Sequence, residues 1–346
     1  MRKIILTVML LLLVLLPAEA AELTAPEVPE AGAKLMPTEV KSFSQGLGDI
    51  LKELLPLIRP DLSEAAGISA RLIAVCMLLS VLQTLDPQLQ TVGKIAGTAV
   101  IGVLLFKSTH SMLRLGADTV NEMSEYAKLL LPALTAAMAA QGGVSAATAL
   151  YAGSAVLITF LSRLIVSLLL PVQYLFLASA AAGSILGNDT LKGIKDLIKD
   201  MLHWCLKTIL TVFTAYLGIT GIVSGSTDAA VLKATKSAIS GAIPVVGSIL
   251  SDASEAVLVS AGLVRNTMGI YGILAVIAVF LGPFVRIGVQ FVILRFTASV
   301  CTLLDSKGLS GLIGDFSEVL RMLLGMTGAM CILLLVSSVC FLKGVG

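Results

Sequence analysis

Arg286 and Arg295 stand nine residues apart inside an apolar run that follows Pro283. A charge at mid-bilayer costs at least ~2.5–3.5 kcal/mol on insertion scales, so each is expected to meet an acid, a protein interior or the headgroup interface. Arg286 lies three residues past the proline and can snorkel to the interface. Arg295 is expected to face the interior, and Arg286 to tolerate lysine better. Arg163 and Arg265 are further bases in or beside apolar runs, and Asp252 and Glu255 are acids that could face them. Those two acids are three apart and share a helical face. Their plainer role is at the start of the following helix, where negative charge complements the dipole; ion coupling is the sharper alternative.

Other chemistry has little support. His110 and His203 have no Glu or His partner at metal-ligand spacing and read as surface or interfacial residues. Cys76, Cys205, Cys301, Cys331 and Cys340 lie in or beside apolar runs without a C-x-x-C pattern, which suits small buried hydrophobes and implies no disulfide framework. Gly142-Gly143 and Gly308 suit helix ends better than phosphate cradles, and there is no Walker A sequence. No enzyme, metal or cofactor is expected. Bases number 24 and acids 22, which gives nucleic-acid binding no electrostatic support.

The elements that must hold these residues belong in a bilayer. Hydrophobic residues make up 57% and charged residues 13%, against about 45–50% and 25% in soluble domains. The expected class is all-α: a polytopic integral membrane protein of the cell membrane with a cleaved signal peptide. Met1-Arg2-Lys3, an apolar core from Ile4 to Leu16, and Ala18-Glu19-Ala20 form a signal segment over 1–20, cut between Ala20 and Ala21. Residues 21–67 are polar, with eight acids to four bases, and suit an extracytoplasmic location. Pro26, Pro29 and Pro37 predict a flexible start. Phe43, Leu47, Ile50, Leu51, Leu54 and Leu55 then recur as on an amphipathic helix, at a membrane surface or against a partner. Residues 68–117 hold an apolar pair joined around Asp86-Pro87.

Two related membrane units follow, 118–226 and 227–346. The first contains Leu129 to Gly143 around Pro132; the second contains Lys233 to Glu255 around Gly241, Pro244 and Gly247. Between Lys236 and Asp252 lie 15 uncharged residues, short of the roughly 20 that cross a bilayer as a helix. A broken helix, a re-entrant segment or an oblique buried helix would fit, covered by protein or lining water. Pro132 precedes Pro171 by 39 residues, and Pro244 precedes Pro283 by the same 39. Each second proline is expected to open an apolar run, then an amphipathic stretch in the interface (Leu191 to Leu202 and Leu309 to Leu320), then a last span. LKGIKDLIKDML aligns there with LSGLIGDFSEVL. Roughly eight crossings result, with the halves parallel or inverted. Paired Gly/Pro-broken segments in two halves point to a transporter-like central site.

The run IPVVGSILSDASEAV, the later GIYGILAVIAVFLGPFVRIGVQFVILRFTASVC and the upstream LLLPALTAAMAAQGGVSAA together resemble the stage III sporulation protein AE family of endospore-forming bacteria. The resemblance covers most of the chain after the signal and is strongest over 236–304. It implies a multi-pass component of the channel joining mother cell and forespore, sitting in the mother-cell membrane around the forespore with other channel subunits as partners. The expected function is a membrane-embedded channel or transport subunit needed for endospore development. A non-conducting scaffold for that complex and a stand-alone ion-coupled permease are the competing classes.

Overall fold

The computed structural model describes residues 26–37, 43–85, 89–140, 144–186, 189–219, 267–304 and 307–343. Among them all regular structure is helical: α1 (Glu30–Ala33), α2 (Phe43–Leu85), α3 (Leu89–Ala140), α4 (Val144–Leu164), α5 (Leu170–Leu186), α6 (Asp189–Ile219), α7 (Thr267–Leu303) and α8 (Lys307–Lys343). A π-helical turn, Ile165–Leu169, joins α4 and α5 into one rod. Five helical segments are long and apolar enough to cross a membrane: within α2, α3, the α4–α5 rod, α7 and α8. The chain is thus an all-helical, multi-pass membrane protein.

The prolines do not divide the chain as their spacing predicts. Pro132 lies inside α3, which continues to Ala140, and Pro283 lies inside α7. Pro56 and Pro60 lie inside α2, so the amphipathic stretch and the first apolar span are one helix of 43 residues. An interior proline removes one hydrogen bond and crowds the turn before it, but strong helix formers flank Pro132 in LLLPALTAAMAA. Before Pro171 the π turn takes up the strain: the Leu170 N–H donates to the Ile165 carbonyl, five residues back. Runs expected as separate crossings therefore merge. The described residues hold five membrane-length segments where roughly eight crossings are expected.

Contacts fix the helix directions. Leu274 lies against Gly46, Arg286 against Asp61 and Thr297 against Ser69, a nearly constant register that makes α2 and α7 parallel. Leu309 lies against Gly97 and Leu323 against Gly116, so α3 and α8 are parallel as well. The hairpins α2–α3 and α7–α8 thus pack side by side in the same sense. On the other flank Gly153 faces Tyr216, whose hydroxyl donates to the Ala149 carbonyl, and α6 runs back along the α4–α5 rod. It does so parallel to α8, with Lys195 at Asp315, Lys199 at Glu318 and Leu206 at Gly325. Ile219 and Thr267 consequently lie toward the same end of the bundle.

α7 and α8 form the centre, with 67% and 72% of their most apolar windows buried, against 28–33% for the other three segments. Small residues permit the close approaches, as expected where lipid supplies no hydrophobic drive between helices. The start at residues 26–37 is not loose. Gly32 lies against the α7 backbone at Val279, and Leu35, 2% exposed, sits by Gly282.

Candidate functional site

A row of polar contacts crosses the bundle, from the middle of α2, α3 and α7 to the first third of α6 and α8. It begins at α2, where Asp61 Oδ1 accepts from Arg286 Nη2 of α7 at 2.7 Å. One turn along α7, buried Gln290 donates to Ser108 Oγ of α3 at 3.0 Å. Two residues further on α3, His110 Nδ1 lies 2.8 Å from the Tyr174 hydroxyl of α5, with Phe106 stacked on the imidazole. Next to Tyr174, buried Gln173 points its Nε2 at Met326 Sδ of α8, 3.9 Å away. Lys199 of α6 lies over the Phe176 ring at 5.6 Å and 3.9 Å from Glu318 of α8. Arg321 also holds Glu318, and Lys195 Nζ meets Asp315 Oδ2 at 2.6 Å. Six helices, α2, α3, α5, α6, α7 and α8, are thereby linked, and on α8 the contacts run from Asp315 to Met326.

Helix irregularities fall at the same level. Pro60 adjoins Asp61, Pro283 is three residues from Arg286, and Pro171 with its π turn immediately precedes Gln173. The chain therefore weakens its backbone ladder beside several of its interhelical polar groups. This layer does not maximise stability. Asp61 Oδ2 and Gln173 Oε1 are buried without a hydrogen-bond partner, a condition that costs about 1–3 kcal/mol per group. Polar groups retained at such cost among apolar helices are the expected mark of a pathway or a switchable contact.

At the end of the layer His203, on α6, has its basicity lowered by burial first, then by the cations Lys207 and Arg321; Asp200 opposes them. The cluster around it mixes both signs: Lys195, Lys199 and Arg321 against Asp315 and Glu318. Asp315 and Glu318 are 16% and 12% exposed at the side chain, so these ions work in a lowered dielectric, where pairing matters more.

The structure rearranges the residues singled out in the sequence. Arg286 and Arg295, the latter expected to be interior, are both exposed on α7, and Arg286 is the one paired with Asp61. The difference is geometric: nine residues turn Arg295 about 180° away from Arg286 at 100° per residue. Arg163 is exposed near the end of α4. Pro132 is exposed on the outer side of α3. Ala20, Ala21, Gly142, Gly143, Gly241, Pro244, Gly247, Asp252, Glu255 and Arg265 lie outside the described residues. The amphipathic stretches 191–202 and 309–320, expected to lie in the interface, face each other through their charges. They open α6 and α8, which continue unbroken into apolar sequence. Sequence reading passed over Asp61, Gln173 and Gln290. For the two glutamines the available signal was an uncharged amide within each of two long apolar runs.

Residues 34–343 match the sequence model of the family described as stage III sporulation protein AE. Among curated proteins the chain is similar to stage III sporulation protein AE of Bacillus subtilis (strain 168), with 25% identity over 215 residues. That match covers 61% of this chain and 54% of the relative, so it spans about half the relative's length. No solved structure matches.

Proposed function

The chain belongs to the stage III sporulation protein AE family, and we propose that it serves as a membrane-embedded channel or transport subunit of a trans-envelope complex between mother cell and forespore. In this reading it sits in the mother-cell membrane around the forespore, contacts lipid and other subunits of the complex, and is needed for endospore development. It performs no catalytic step and leaves any energy input to a partner or an ion gradient. The observation that carries the proposal is the polar layer that crosses the bundle at the level of Pro60, Pro171 and Pro283. Interhelical polar contacts beside weakened helix turns give a bundle places to shift, as a gated path requires.

The alternative is a scaffold that gathers the other subunits and conducts nothing. It draws support from the filled centre, where α7 and α8 bury most of their apolar length. The two differ in whether a wet surface exists. Cysteines placed singly at Ala242, Val246 and Ser248, with the native cysteines replaced, are expected to react with a membrane-impermeant thiol reagent in sporulating cells. Uniform protection, with full sporulation when Gly241 and Gly247 are changed to Leu, would contradict the conduit and leave the scaffold.

A further inference from the structure

Cys76 of α2 and Cys301 of α7 are both fully buried, and they share the sequence offset of 225 that separates the paired Asp61 and Arg286 on the same two helices. The helix register alone brings them together. Asp61 and Arg286 meet lower on the same two helices, and fifteen residues further along each, about 22 Å at 1.5 Å per residue, stand Cys76 and Cys301. The bonded hydroxyls of Ser69 and Thr297 hold the interval. No other pair competes on these grounds. Cys331 and Cys340 are nine residues apart on α8, about 13 Å along its axis. Cys205 is level with Gly325 of α8, about two turns short of Cys331 by the α6–α8 register.

We propose that Cys76 and Cys301 form an oxidisable pair, a modification site at which a disulfide ties α2 to α7. The two S–H bonds break, one S–S bond forms, and two protons and two electrons leave. They pass to a two-electron acceptor of the quinone or azo class, which is small and apolar enough to enter the membrane. An isolated thiol in apolar surroundings is inert; a second buried thiol at the same level of the facing helix supplies the partner that disulfide formation needs. The cross-link joins the hairpins α2–α3 and α7–α8, which otherwise rest on side-chain packing, Ser69–Thr297, Gln290–Ser108 and the Asp61–Arg286 pair.

The test uses the full chain in membranes. It is treated with diamide, an azo compound reduced to its hydrazine, then unfolded, alkylated with N-ethylmaleimide and weighed intact. The oxidised chain is expected to take up two fewer maleimides than the untreated chain and to remain monomeric on a non-reducing gel. Cys76→Ser and Cys301→Ser should each take up the same number before and after diamide. Unchanged uptake by the parent would overturn the proposal. So would a loss of two maleimides in either serine variant, because another pair would then be responsible. Diamide is removed before unfolding, and alkylation follows unfolding, so every thiol left reduced is counted.

Discussion

Arg286 keeps its place among apolar neighbours because Asp61 reaches it across 225 residues of sequence. The carboxylate is 15% exposed and the guanidinium 49%, so the pair lies between a surface bridge and a buried one. Arg286→Leu should destabilise the solubilised protein by about 1–3 kcal/mol, mostly by stranding Asp61. Arg295→Leu should cost less, and thermal unfolding of the two variants in one detergent checks the order. His203 gives a second handle. Its basicity is lowered by burial and by Lys207 and Arg321, so the folded chain binds its proton less readily than the unfolded chain does. Its share of stability is therefore complete above the ordinary histidine value of about 6.5. That share is lost as pH falls through the lowered folded value. The unfolding midpoint should drop on acidification across that window, and His203→Gln should flatten the drop. Sequence reading found the arginines because a charge in an apolar run is conspicuous. It could not find Asp61, which sits in a stretch rich in ordinary surface acids.

Helices here meet at glycines, and two of these separate packing from propensity. A Cβ at Gly153 would fall inside the Tyr216 ring, whose hydroxyl is held by the Ala149 carbonyl. Gly153→Ala should cost about 1–3 kcal/mol through overpacking of α4 against α6. A Cβ at Gly311, in α8, meets nothing within 4 Å, so Gly311→Ala should stabilise by up to about 1 kcal/mol. Thermal unfolding of both variants measures the contrast. At this scale the sequence was partly legible. Apolar runs located the helices, and the alignment of 191–202 with 309–320 picked out two stretches that lie side by side in parallel register. The breaks were misread, because proline marks a weak turn and says nothing of the neighbours that hold the helix through it. Spacing also could not reveal that the two amphipathic stretches would pair their charges with each other.

α2, at 43 residues, is about 64 Å long at 1.5 Å per residue, roughly twice the hydrocarbon thickness of a bilayer. The long helices thus reach beyond the membrane. Membrane class, helical content and family resemblance were all readable from composition and from three apolar runs. The cross-bundle layer was not, since it joins residues from every part of the chain through register alone. If that layer is the working part of a sporulation channel subunit, its charges must act as pairs. The most direct measurement is the count of heat-resistant spores in a sporulating strain whose only family member is this chain, with membrane levels of each variant matched. Asp315→Lys alone should lower the count by more than an order of magnitude, and Lys195→Asp combined with Asp315→Lys should restore most of it. A single reversal that sporulates like the parent, or a swap that restores nothing at equal protein level, would contradict the account.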